Sequence, residues 1–456
     1  MPARDDPGGA AAAPGAAMAP ADGPAGGADR AVTLEGPGAA ARAAARAGLY
    51  VHVPFCAARC AYCDFSSGIV SSDGIERWLG ALEREAGRRA PAAAGLAFSS
   101  VFLGGGTPST LGPAEVRRLF AALRGAFRIA PGAEVTLEAN PESVDEPRLE
   151  AWRAAGVNRL SIGAQSLHDD ELARLGRIHS AARVGEACAR ARALGFERLS
   201  LDLIYGFPGH TLVRWGETLA RALELGPEHL SAYALLPERG TRLGDEVLEG
   251  RAPLPADEEQ ARAYELLLER AAGAGLGCYE TSNVCRPGAE ARHNLVYWLR
   301  RPYVGLGPSA HGLTGGGRYG NRRGFAEWAS ALEAGGEAES EREPESPASA
   351  ARELLMLGLR LATGVRAADY EPALWREVAI RYGGALDQAF ATGRLVAVED
   401  GFAVPRSLRF LADGVIAWIE ARAEARGFDS RSGHSVPSAP CPRPRSSATG
   451  AAPTRT

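Results

Sequence analysis

Lysine is absent from this 456-residue sequence, so all 51 basic residues are arginine. This absence excludes any mechanism that needs a lysine amine, such as Schiff-base formation. Basic and acidic residues nearly balance, at 51 against 55, which argues against a strongly basic nucleic-acid-binding protein. No apolar run reaches the roughly eighteen residues of a membrane span, and the N-terminus lacks the apolar core of a signal peptide. We therefore expect a cytoplasmic protein with reduced cysteines, no nucleic-acid partner and at most transient membrane association.

Composition divides the chain into five stretches. Residues 1–46 are rich in Ala, Gly and Pro and residues 425–456 in Ser, Pro and Arg, so both tails are expected to be disordered. Residues 47–332 form the predicted core, and an acidic, proline-containing stretch at 333–349 is predicted to be a linker. Residues 350–424 are predicted to form a small winged-helix-like α+β domain, with helices and one β-hairpin. Without a basic face, this domain is expected to serve docking rather than DNA reading.

The core alternates short apolar runs with amphipathic helical patterns, as consecutive parallel βαβ units do. The predicted strands are Leu49–Val53, Ser100–Leu103, Glu134–Glu138, Arg159–Ile162, Leu199–Ile204 and His229–Ala234. Such a sheet is either doubly wound or rolled into a complete or partial barrel, and periodicity does not decide between them. In both cases the functional residues are expected at the carboxyl ends of the strands, in the loops that lead to the helices.

Three of the seven cysteines lie within eight residues, directly after the first predicted strand. The segment reads Tyr50-Val-His-Val-Pro-Phe-Cys56-Ala-Ala-Arg-Cys60-Ala-Tyr-Cys63-Asp-Phe65. No further Cys or His follows closely enough to complete a tetrahedral zinc site. Three thiolates on a four-iron cluster leave one iron open to a small molecule. Buried core cysteines and a zinc site completed from afar are the less favoured alternatives.

This segment resembles the radical S-adenosylmethionine (SAM) superfamily, and more narrowly the oxygen-independent coproporphyrinogen III oxidase family with its haem-chaperone branch. The resemblance covers roughly residues 49–424. It implies an α/β fold, with a partial TIM-like (β/α)6 barrel, and a [4Fe-4S] cluster on Cys56, Cys60 and Cys63. It also implies an electron donor and a SAM molecule chelated to the open iron, whose sulfonium is cleaved to a 5′-deoxyadenosyl radical.

Polar or glycine-rich segments follow the next strands in order. Gly104-Gly105-Gly106-Thr107 lacks both the spacing of a dinucleotide fold and the lysine of a P-loop. Further along, two carboxylates, an amide and a guanidinium suit a ligand with an ammonium, a carboxylate, a ribose and an adenine. The resemblance assigns eight residues to SAM, namely Tyr50, Gly105, Gly106, Thr107, Glu138, Gln165, Arg177 and Asp202.

Two features separate the oxidase branch from the chaperone branch. The oxidases have a further cysteine two residues after the triad, whereas this chain has Phe65 at that position. The chain also lacks an ordered, oxidase-like N-terminal arm and has only the Ala/Gly/Pro tail. The segment His293-Asn294-Leu-Val-Tyr297-Trp298 resembles the haem-binding signature of the chaperone branch. An imidazole can ligate haem iron and aromatic rings can pack on a porphyrin. The alternative is a buried histidine with two core aromatics.

The resemblance thus implies a haem chaperone that delivers haem to haem-accepting proteins and lacks coproporphyrinogen oxidase activity. The haem segment is expected near the mouth of the sheet, where a porphyrin could be handed on. Whether the chain is an enzyme stays open. The alternatives are a coproporphyrinogen oxidase or dehydrogenase, or a radical methyltransferase that acts on a tetrapyrrole.

Overall fold

A computed structural model describes residues 39–69 and 71–429 of the chain. The helices are α1 (Ala39–Ala44), α2 (Ser72–Ala93), α3 (Pro113–Ala126), α4 (Glu146–Ala154), α5 (Asp169–Arg174), α6 (Ala181–Ala193), α7 (Leu212–Glu224), α8 (Arg242–Leu248), α9 (Asp257–Gly273), α10 (Arg292–Trp298), α11 (Phe325–Glu333), α12 (Pro347–Gly358), α13 (Pro372–Ala391) and α14 (Ala412–Asp429). Within this part of the chain, every helix is too short or too polar to cross a bilayer.

The strands include the six that the sequence predicts, with somewhat different ends. They are β1 (Gly48–Val53), β2 (Phe55–Cys56), β3 (Gly68–Ile69), β4 (Phe98–Gly105), β5 (Ile129–Ala139), β6 (Arg159–Gln165), β7 (Arg198–Tyr205), β8 (His229–Ala234), β9 (Gly277–Glu280), β10 (Asn283–Cys285), β11 (Tyr303–Leu306), β12 (His311–Thr314), β13 (Gly317–Asn321), β14 (Glu339–Glu343), β15 (Val365–Arg366), β16 (Val396–Val398) and β17 (Gly401–Ala403).

One large mixed sheet organises the described part of the chain, in the order β14-β13-β12-β11-β1-β4-β5-β6-β7-β8-β10-β9. The six predicted strands, β1 and β4 to β8, lie side by side in chain order, and every adjacent pair among them is parallel. Strand β11 adds a parallel neighbour to β1, and antiparallel strands extend both edges. Because the inner strands are parallel, their carboxyl ends lie at the same end of the sheet.

Apolar side chains on one face of the inner strands pack against the helices, whereas the alternate face carries polar side chains such as Glu138, Ser161 and Asp202. Leu49, Val51 and Leu103 are fully buried, and Trp78 of α2 and Trp215 of α7 are buried against the sheet in the same core. Each fully buried side chain of this kind contributes about 1.5–3 kcal/mol through the hydrophobic effect. This packing fixes the positions of the loops that follow the strands.

The C-terminal part has its own small core. Strands β15, β17 and β16 form an antiparallel sheet, and the predicted hairpin joins β16 to β17 with Asp400 in the left-handed region at φ 57°. Apolar residues of α12, α13 and α14 pack with Val365 and Phe402 of this sheet. The expected combination of helices with one hairpin is therefore present.

Three expected boundaries need correction. Residues 39–44 of the presumed N-terminal tail form α1, whose buried Arg42 donates a hydrogen bond from Nε to Asp369 at 2.9 Å. Residues 339–343 of the presumed linker form β14, which pairs with β13 and is exposed except at the half-buried Glu339. The last helix continues to Asp429. The remaining tail residues, 1–38 and 430–456, lie outside the described residues.

Candidate functional site

The cysteine loop leaves the carboxyl end of β1 and is closed by the short parallel pairing of β2 with β3. All three sulfhydryl side chains of the triad are partly exposed. Two neighbouring loops place polar groups against them, since Thr107 Oγ1 lies 3.4 Å from Cys56 Sγ and Arg177 Nη1 lies 3.3 Å from Cys60 Sγ. Burial, followed by the neighbouring charges, raises the pKa of the Cys63 thiol to about 11.

The glycine-rich loop after β4 is packed directly on the cysteine loop. Gly106 N–H donates to Val53 O at 2.9 Å, and Thr107 N–H donates to Phe55 O at 2.6 Å. A Cβ on Gly106 would lie 2.6 Å from Phe55 O. Gly105 adopts φ 102°, and a Cβ there would lie 2.5 Å from the His52 ring. Glycine is therefore required for the close approach of these two loops.

Two half-buried carboxylates lie beside these loops. Glu138, near the end of β5, accepts a hydrogen bond from Gly105 N–H, and Asp202 on β7 accepts one from Ser161 Oγ at 2.9 Å. Burial and the nearby Asp202 charge raise the pKa of Glu138 to about 8, and burial also raises the pKa of Asp202. A cationic ligand would stabilise both carboxylates in their charged form.

Arg177 connects the cysteine loop to the ends of β5 and β6. Its Nη2 donates to Asn140 Oδ1 at 2.5 Å and to Gly163 O at 3.1 Å. Gln165 ends β6 with φ 64°, and a Cβ on Gly163 would lie 3.0 Å from Gln165 Nε2. The Gln165 amide and the Arg177 guanidinium therefore both lie beside Gly163.

Tyr50 completes the set that the resemblance assigned to SAM. Its hydroxyl lies 3.1 Å from His52 Nδ1, and its ring is stacked on Phe102 at 6.3 Å between centroids. Burial and the charge of Glu138 raise the pKa of this phenol. The eight assigned residues thus lie on β1 and β4 to β7 or in the loops that follow them, and two of them, Thr107 and Arg177, contact the cysteine triad.

The predicted haem segment forms α10, and His293 is fully enclosed there. Its Nδ1 lies 2.9 Å from Ser100 Oγ, its Nε2 lies 2.8 Å from Tyr297 Oη, and its ring is stacked on Phe102 at 5.2 Å. Burial lowers the pKa of His293 to about 3, so the imidazole is neutral at physiological pH. Both ring nitrogens therefore have protein partners in this conformation.

The position of His293 differs from our expectation of the sheet mouth. The ring lies against Gly48 and Ser100, in the amino-terminal halves of β1 and β4. Helix α10 therefore packs near the amino-terminal ends of these strands rather than over their carboxyl ends. Asn294 and Trp298 are half-buried on the same helix, and the Trp298 ring lies 5.7 Å from the Arg360 guanidinium. The structure thus brings His293 and Tyr297 into contact, whereas Trp298 contacts Arg360.

Several polar residues of the site are absent from the predicted set. Asn140 and Ser161 hold Arg177 and Asp202 in place, and Glu280 is a buried carboxylate whose pKa burial raises to about 7. Asn140 follows Glu138 by two positions in Leu-Glu-Ala-Asn-Pro, so alternation along the strand is a signal that could have found it. Glu280 lies on β9, one of the strands that the sequence analysis did not predict.

The donor chemistry of the triad fits a multi-iron cluster. Among the described residues, no three His, Cys, Asp or Glu side chains surround a position for a single metal ion. The three thiols lie on one partly exposed loop, where each could bind a different iron of a cluster. Arg177 beside Cys60 would stabilise the thiolate form that iron requires.

The chain is similar in sequence to known proteins. A family model described as Radical SAM superfamily matches residues 50–222. The haem chaperone HemW of Mycobacterium tuberculosis is 42% identical over 298 residues, which cover 64% of this chain and 76% of the relative. The haem chaperone HemW of Bacillus subtilis is 35% identical over 270 residues, which cover 59% and 71%.

The solved structure of coproporphyrinogen III oxidase (HemN) from Escherichia coli, a radical SAM enzyme, shares the architecture. It aligns with a TM-score of 0.71 at 23% identity, over 84% of this chain and 93% of that chain. At this identity the likeness establishes the fold alone. The expected α/β fold of this superfamily is therefore confirmed.

Proposed function

Because the chain belongs to the HemW family of radical SAM proteins, we propose that it is a haem chaperone, which binds haem and passes it to haem-accepting proteins. The observation that carries the proposal is the position of α10. His293 is stacked on Phe102 of β4, and the same strand leads into the glycine-rich loop beside the triad. The haem segment and the cofactor residues therefore share two strands of one sheet.

The chain's own residues would hold the cluster and SAM as follows. Cys56, Cys60 and Cys63 supply three thiolates, and Glu138 and Asp202 receive the cationic groups of SAM. When bound, the two cofactors would supply one-electron chemistry, for which a separate electron donor is needed. Reduced thiols suit the expected cytoplasmic location.

His293 is suited to bind haem iron because its imidazole is neutral. One ring nitrogen must exchange its protein partner for the iron. Tyr297, the partner of Nε2, lies one turn along the same helix, so its hydroxyl can leave Nε2 by a local rearrangement. We propose this exchange as the step that admits haem.

Phe65 supports a chaperone rather than an oxidase. It occupies the position of the additional cysteine of the oxidases, and 61% of its surface is exposed. We therefore propose that the chain does not convert coproporphyrinogen III to protoporphyrinogen IX. The experiment combines anaerobic reconstitution, haem titration and porphyrin product analysis on the same purified chain.

We expect about four irons per chain, a haem complex with a Soret band and no protoporphyrinogen. Cys60→Ala should lose the iron complement, whereas Cys188→Ala, a matched control buried in α6, should keep it. Formation of protoporphyrinogen IX would favour the oxidase alternative, and a full iron complement in Cys60→Ala would remove the triad from the cluster.

A further inference from the structure

A cleft of about 320 Å³ opens at the amino-terminal ends of β5, β6 and β7. It is lined by the start of β5 up to Glu134, by Asn158 before β6 and by Arg198, the first residue of β7. The cysteine triad follows the carboxyl end of β1. Because these strands are parallel, the cleft and the triad lie at opposite ends of the sheet.

Three guanidinium groups line this cleft without a carboxylate at hydrogen-bond distance. Within residues 39–69 and 71–429, Arg153 has no ion-pair partner and lies 5.4 Å from the Phe196 ring. Arg198 approaches only Glu134, at 3.7 Å, and Arg292 donates to two backbone carbonyls.

Other arginines of the chain show the contrast. Arg118 donates to both oxygens of Glu83, and Arg192 donates to both oxygens of Glu228. The guanidinium groups of the cleft therefore retain the paired donors with which arginine recognises an external carboxylate.

The acidic groups of the cleft do not cancel this charge. Glu134 is buried, and its Oε2 lies 3.7 Å from both the buried Arg159 and Arg198. Glu197 is exposed at the rim. Three arginines and two glutamates line the cleft, and the buried Arg159 is a further cation near Glu134, so the cleft carries a net positive charge.

The cleft is also joined to the haem segment. Glu134 Oε1 accepts a hydrogen bond from His293 N–H at 3.2 Å, and Arg292 is the residue before His293. A haem carries two propionates on one edge of its ring, so the site for the propionates must adjoin the iron ligand.

We propose that this cleft binds the propionate carboxylates of haem, with Arg198 and Arg292 as the principal donors. The proposal rests on the haem-binding function proposed above and adds a second contact point for the same ligand. Arg153 at the rim receives the second propionate. The cleft takes the carboxylate edge of the porphyrin, and the ring packs against α10.

The test compares haem with haem dimethyl ester, in which both propionates are blocked, on the full-length reconstituted chain. We expect the unmodified chain to bind haem at least about tenfold more tightly than the ester. The variants Arg198→Gln and Arg292→Gln should bind haem only as tightly as the unmodified chain binds the ester. Their affinity for the ester should equal that of the unmodified chain, which also shows that they fold. Arg376→Gln, exposed on α13, is the matched control and should keep the preference.

The outcomes separate this proposal from the function on which it rests. Equal affinities for haem and ester in the unmodified chain would overturn the cleft proposal and leave haem binding in place. Binding of neither form would overturn both. Inorganic phosphate that competes with haem but not with the ester would support a carboxylate site. Phosphate binding that depends on Arg198 and leaves haem affinity unchanged would show a free-anion site instead.

Discussion

Arg177 Nη1 lies 3.3 Å from Cys60 Sγ, and Nη2 of the same guanidinium lies 2.5 Å from Asn140 Oδ1. One side chain therefore joins the cysteine loop to the end of β5. Its Nε is buried and has no hydrogen-bond partner among the described residues. This donor is available to an incoming carboxylate, as the SAM assignment requires.

Arg177→Ala should weaken SAM binding to the reconstituted chain by about tenfold or more, because a charge-assisted hydrogen bond is lost. Isothermal calorimetry under anaerobic conditions measures this affinity. Arg174→Ala, three residues earlier and exposed at the end of α5, is the control and should bind SAM normally. Equal affinities in the two variants would remove Arg177 from the SAM site.

SAM binding near pH 7 should release about one proton from the chain. Glu138 is mostly protonated at this pH because burial and Asp202 raise its pKa to about 8, and a bound cation would lower that pKa again. Calorimetry in two buffers of different ionisation enthalpy measures the release. Glu138→Gln should abolish it, whereas Glu146→Gln, exposed at the start of α4, should not. Equal heats in both buffers would contradict this assignment.

The inner sheet was predictable because buried apolar residues recur at every second position of each strand. His229–Ala234 matches β8 at both ends, and Arg159–Ile162 is β6 without its last three residues. The edge strands lack this signal. Strand β14 reads Glu-Ser-Glu-Arg-Glu, and it forms only because β13 offers a partner. Such pairing depends on distant contacts that local composition does not encode.

The site was predictable where functional residues lie near the carboxyl ends of successive strands, as Glu138 and Asp202 do. It was not predictable where strand register decides the contact. Ser161 reaches Asp202 because β6 and β7 pair in the register Ser161 with Ser200. The location of His293 also depends on how α10 packs beneath the sheet, so the sequence identified the residue but not its surroundings.

Stability should depend on Glu280 between pH 4.5 and 7. Burial raises the folded-state pKa of Glu280 to about 7, whereas the unfolded chain has the ordinary value of 4.5. The native state therefore holds a proton that the unfolded state has lost, and stability falls as pH rises through this interval. The total loss is about 3 kcal/mol, and it is complete above the folded-state pKa.

Urea unfolding at a series of pH values measures this effect. Glu280→Gln keeps a neutral side chain of similar shape, so its free energy of unfolding should vary less with pH over the same interval. Glu258→Gln, on the exposed face of α9, should retain the dependence of the unmodified chain. Parallel pH profiles for Glu280→Gln and the unmodified chain would show that Glu280 ionises normally.

The variant Tyr297→Phe tests whether haem iron replaces the Tyr297 hydroxyl at Nε2 of His293. The substitution removes the hydroxyl that lies 2.8 Å from Nε2 but keeps the ring, which packs edge-on against the imidazole at 4.9 Å. If iron replaces this hydroxyl at Nε2, the variant should bind haem at least as tightly as the unmodified chain and at the same Soret wavelength. His293→Ala should shift the Soret band and weaken binding, while the cluster spectrum persists. A shifted Soret band in Tyr297→Phe would make the phenol itself an iron ligand, and an unchanged spectrum in His293→Ala would return His293 to a packing role.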